Sequence, residues 1–126
     1  MNKREIKFRG ISKETGLFVY GFYVQGMYDG TSKTVEHGIC RKGCYPKEVI
    51  EDTVSQFTGM KDKHGADIYE RDIIRWYGLN LEVKFILDGW FAESFDGTII
   101  EAGQEWESCC SVIGNIYKSA HLLEEI

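Results

Sequence analysis

The side chains best equipped for chemistry in this chain are four cysteines and three histidines. His37, Cys40 and Cys44 form a His-x2-Cys-x3-Cys run, and Cys109 and Cys110 add two more thiols. Zinc takes thiolate and imidazole ligands of this kind. The usual structural site joins two Cys-x2-Cys knuckles, and that spacing is absent, so scattered thiols are the simpler account and no cofactor is expected. A catalytic thiol needs a partner histidine and an electropositive pocket, and no local signature marks one. Asp62, His64 and Asp67 lie close together but lack the alternating oxygen ligands of a calcium loop. A turn shaped by Asp62 and Gly65 explains them better. Glu51-Asp52 and Glu101, Glu105 and Glu107 could pair for acid–base work, yet solvated carboxylates are far commoner. A phosphate loop of the Gly-x-x-x-x-Gly-Lys type and a Gly-x-Ser-x-Gly elbow are both missing. The chain therefore reads as a binding protein rather than an enzyme.

Aromatic residues beside cations are the other candidate. Trp76, Tyr77, Trp90 and Phe91, with Arg75 and Lys84, could make a platform for a protein partner or for stacked bases. Some of these rings must fill the core, since a small barrel needs filling. The formal charge of -5 disfavours a phosphate-backbone binder, which needs clustered Lys and Arg. A homo-oligomer or a protein partner is the first expectation, and nucleic acid the second. An uncharacterised enzyme comes third.

These residues sit on elements with a mostly β pattern. Ile6 and Phe8 alternate with charged neighbours over residues 1 to 10, as in a half-buried strand. Ser12 to Gly16 is a polar turn. Leu17 to Val24 is aromatic and β-branched, which suits a second strand. Gln25 to Thr34, with Gly26 and Asp29-Gly30, reads as a loop. Val35 to Cys44 is ambiguous, and Lys47 to Val54 holds one helical turn or a strand. From Ile68 the β pattern is clear. Asp88-Gly89 and Asp96-Gly97 are turn pairs between strands, and Ser111 to Tyr117 is a last strand before a short helix capped by Ser119.

The chain has 126 residues, with 43% hydrophobic and 13% aromatic, which supplies a core for one domain. No apolar run approaches the roughly 18 residues of a membrane span, and no apolar signal core follows the first charges. No membrane association and a cytoplasmic location are the expectations, with reduced cysteines.

Three blocks stand out: Arg4-Glu5-Ile6-Lys7-Phe8-Arg9, the stretch from Thr53 to Ile74, and Val112-Ile113-Gly114-Asn115-Ile116-Tyr117 followed by Leu122-Leu123. Together they resemble the YopX family of phage and prophage proteins. In the middle block the family pattern has Gly where Arg71 stands, and Arg71 takes a positive φ less cheaply. The resemblance implies a phage or prophage accessory protein in a bacterial host cytoplasm, often oligomeric, and no reaction. The fold expected is mainly β (α+β): a single domain over 1–126, with N-terminal strands and little helix over 1–58 and a small SH3-like barrel over 59–126. Gln56, Gly59, Asp62, Gly65, Tyr69, Asp72, Gly114 and Asn115 are expected to be structural signature residues rather than a site.

Overall fold

The computed structural model describes residues 5–124, so Met1 to Arg4 of the expected first strand lie outside the described residues. The chain divides into two compact units, 1–57 and 58–126.

In the first unit, strands β1 (Phe8–Ile11), β2 (Phe18–Tyr28), β3 (Thr34–Cys40) and β4 (Lys47–Glu48) pair in an antiparallel sheet of order β4-β3-β2-β1. Strand β5 (Ser55–Lys61) adds beside β1 through Ser55 and Gln56, and then continues into the second unit. The polar turn forms as expected, with Ser12 Oγ accepting from Glu14 N and Thr15 N. Strand β2 runs four residues further than its aromatic stretch suggested, because Gly26 is absorbed at φ 66 between the Gln25–His37 and Met27–Val35 pairs. Pairing with β2 also settles the ambiguous segment as β3. Gly21 is required where it stands: a Cβ there would lie 2.5 Å from the Cys40 carbonyl oxygen. Ile11, Val35, Ile39 and Val49 make the small core. Residues 47–54 yield β4 and a 3-10 turn at Glu51–Thr53, closed by Thr53 Oγ1, which donates to Ile50 O and accepts Ile11 N at 2.8 Å.

In the second unit, β6 (Asp67–Tyr69) follows β5 across the expected turn. Strands β7 (Asp72–Trp76), β8 (Leu79–Ile86), β9 (Gly89–Ser94), β10 (Ile99–Glu101) and β11 (Cys110–Asn115) form an antiparallel sheet of order β10-β9-β8-β7-β11. The period of two sends Ile74, Leu81, Val83 and Ala92 to one face, where Ile68, Trp106 and Cys110 complete the core. This sheet is not the closed barrel expected from the sequence. Strands β10 and β11 are its two edges, and the chain between them forms helix α1 (Gln104–Cys109), which brings Trp106 into the core at 1% exposure. A large ring covering the open sheet removes the need for closure. Arg71 does adopt φ 71, and its N–H donates to Val83 O while its carbonyl accepts from Ile116 N. Helix α2 (Ile116–Ser119) is capped by Asn115 rather than begun at Ser119, and a 3-10 stretch follows over Ala120–Glu124. No helix among the described residues is long and apolar enough to cross a membrane.

Candidate functional site

The six residues of the expected platform do not share one surface. Cross-strand pairing of Lys84 with Phe91, and of Phe85 with Trp90, sends Phe91 and Trp90 to opposite faces of the sheet. Trp76 and Trp90 pack against the core, while Arg75 and Lys84 belong to the other face. The Lys84 ammonium lies 2.7 Å from the Glu93 carboxylate, so its charge is spent within the protein. Tyr77 sits in the β7–β8 turn at φ 48, 67% exposed and edge-on to Trp76.

His37 and Cys40 are three apart on β3 and so point to opposite faces, which keeps the His-x2-Cys-x3-Cys run from closing on one ion. Among the described residues no three His, Cys, Asp or Glu side chains come together as a metal site. His37 instead joins a hydrogen-bonded chain. Gln25 Nε2 donates to Tyr23 Oη at 2.8 Å, and Tyr23 Oη lies 2.6 Å from His37 Nδ1. His37 Nε2 lies 3.4 Å from Glu51. Tyr23 and Gln25 gave no motif in the sequence, and only the β2–β3 register brings them to His37.

The adjacent thiols differ sharply. Burial pushes the Cys110 thiol up to about 11, and its Sγ donates to Trp106 O at 2.9 Å. Cys109 is held below the ordinary thiol value by hydrogen bonds from Ser108 and from Tyr77 Oη, the latter at 3.2 Å.

The signature residues hold backbone. Partial burial raises the Asp62 carboxyl, but N–H groups of Val112, Ala66 and His64 outweigh it and keep the group below its ordinary value. Asp72 accepts Tyr69 N at 2.8 Å, and Tyr69 is buried. Asn115 Oδ1 accepts Tyr117 N and Lys118 N. Gly59 and Gly65 take φ of 87 and 83, and Gln56 pairs with Phe8. A Cβ on Gly114 would meet Ser119 at 2.8 Å.

Two features of the second unit have binding character. The β8–β9 turn is Leu87-Asp88, one residue earlier than the Asp88-Gly89 pair suggested, with φ of 52 and 61. Turns of this hand favour Asn or Gly, and a leucine there is strained. Leu87 is 88% exposed, and Phe85 beside it is 52% exposed and edge-on to Trp90. At the other end of the same hairpin lies a mainly apolar cleft of about 230 Å³, lined by Leu79, Asn80, Ser94, Phe95 and Leu123 among others.

A family model described as "YopX protein" matches residues 7–124. No curated protein matches the chain. The chain belongs to the YopX family.

Proposed function

We propose that this YopX-family chain is a self-assembling binding module that works as a phage or prophage accessory protein in the bacterial cytoplasm. The observation that carries the reading is Leu87: a large apolar side chain, 88% exposed, on a turn whose backbone it strains. Strain and exposure together cost stability, and such costs persist where a partner repays them.

The cleft at Leu79, Phe95 and Leu123 is the natural receptor for it. Strand β8 spans eight residues between cleft and turn, so its ends stand about 23 Å apart. Leu87 therefore cannot reach the cleft of its own molecule, and a second copy must supply it. A knob and a hole on different patches make a head-to-tail contact, which closes into a ring or continues as a filament. The strand order β10-β9-β8-β7-β11, a meander whose last strand returns beside the first, supports an SH3-like ancestry opened by α1.

Light scattering over a concentration series tests the proposal. Molar mass should rise with concentration beyond that of the 14.5 kDa chain. A monomer at every concentration sinks it.

A further inference from the structure

The first unit holds a second feature, unrelated to assembly. Between Glu36 and Glu48 the chain has no acidic residue and three cations, Arg41, Lys42 and Lys47, in a protein of formal charge -5. All three are exposed, and none is ion-paired among the described residues. The other cations near acidic groups behave differently: Lys13, Lys61, Arg71 and Lys84 each lie against a carboxylate.

Two of these cations, Arg41 and Lys47, line an apolar cleft of about 270 Å³ together with Val19, Tyr20, Ile39 and Tyr45. The loop that builds it is fixed at several points. Cys44 N donates to Arg41 O at 2.9 Å around Gly43 at φ 79, and Cys40 Sγ donates to Cys44 O. Arg41 Nε donates to Tyr20 O at 3.4 Å, which ties the guanidinium to the cleft wall. The Tyr45 ring rests on Gly30, where a Cβ would come within 2.8 Å of it, and meets Tyr28 edge-on at 6.0 Å. Tyr45 is thus held from behind yet 61% exposed, and Tyr20 is 40% exposed. A fixed, exposed ring in a small apolar cleft favours a flat partner, and two uncompensated cations in its lining favour an anionic one. A base with its phosphate is both. The cleft volume suits one ring system rather than a large ligand.

We propose that this cleft binds a nucleobase carrying a phosphate, presented by single-stranded nucleic acid. The base stacks on the tyrosines, and Arg41 and Lys47 meet the phosphates. Duplex is a poor ligand, because its base faces are already stacked on one another.

The test is fluorescence anisotropy of the full chain with a labelled oligothymidylate at low salt. Binding should weaken with salt, and Arg41→Ala with Lys47→Ala should lower the logarithmic salt slope by about one for each cation removed. Tyr45→Phe should bind like the native chain, while Tyr45→Ala should bind roughly tenfold more weakly. Tyr45 also packs in the fold, so the two exposed cation variants stand as the independent arm, with circular dichroism confirming that each variant is folded. The strand should protect Cys44, which lines the cleft and is exposed, from alkylation read by mass spectrometry. Thymidine monophosphate competing at the strand's own affinity assigns the same chemistry to a free nucleotide. No binding at low salt, equal binding to duplex, equal competition by polyglutamate, or unchanged affinity in the cation variants overturns the proposal.

Discussion

The Asp62 carboxylate accepts the backbone N–H of Val112 at 2.9 Å, a bond between residues fifty positions apart. The other oxygen accepts His64 N and Ala66 N at 2.8 and 2.9 Å. One side chain therefore shapes the β5–β6 turn and pins it to β11, and Lys63 N adds a bond to Cys110 O beside it. Asp62→Asn leaves only one oxygen for these donors and turns an NH2 group toward one of them. The variant should lose about 2 kcal/mol of stability. Urea unfolding checks this, with a lower midpoint and an unchanged slope.

The same group sets an acid limit. Its folded-state carboxyl lies below the ordinary value of 3.8, so the unfolded chain binds the proton more tightly. The stabilisation is fully present above the ordinary carboxylate value and is lost as pH falls through the lower folded value. Asp62→Asn should therefore flatten the pH dependence of stability in that acid window and leave neutral pH parallel to the native curve. Thermal melts across the acid range would show equal slopes if Asp62 played no such part.

Cys109 and Cys110 should be separable by alkylation. The thiolate is the nucleophile, and a thiol pushed from 9.0 to about 11 has its thiolate fraction cut roughly a hundredfold at neutral pH. Cys109, with its hydrogen bonds from Ser108 and Tyr77, should be modified first. Tyr77→Phe removes one of those bonds and should slow Cys109 without exposing Cys110. Peptide mapping after short iodoacetamide exposure gives the order, and equal rates for the two thiols would contradict it.

These residues also mark what the sequence carried. The Asp62 turn was legible because Asp and Gly have intrinsic turn chemistry over four residues. Strand β8 was legible because Leu81, Val83 and Phe85 alternate with charged residues, and β9 because an aromatic run lies between two Asp-Gly pairs. The turn between the two strands was misplaced by one residue, since Leu87 is a poor residue for a left-handed position and gave no turn signal. Helix α1 was missed because six residues are too short to show a helical period, and Trp106 looks the same on a strand. The Tyr23–His37 contact, and the meeting of Tyr20 with Arg41, depend on strand register and loop closure, which local propensity does not encode. The platform split because alternation puts neighbours such as Arg75 and Trp76 on opposite faces whatever their joint suitability for binding.

The head-to-tail contact makes a prediction that a symmetric contact does not. Leu87→Asn removes the knob and keeps the cleft. Asn tolerates the left-handed turn, so this variant should be more stable than the native chain, by about 1 kcal/mol. Phe95→Asp removes a wall of the cleft and keeps the knob, at a position already 72% exposed. Each variant alone should be monomeric. Mixed in equal amounts, the intact knob of one meets the intact cleft of the other, and the chain of contacts stops there. The mixture should therefore form heterodimers and nothing larger, readable by light scattering or native mass spectrometry. A two-fold contact between like patches gives the opposite pattern, because a patch damaged in both partners is not repaired by mixing. Heterodimers in the mixture thus identify Leu87 and the Phe95 cleft as the two halves of one joint, and a mixture that stays monomeric while the native chain assembles places that joint elsewhere.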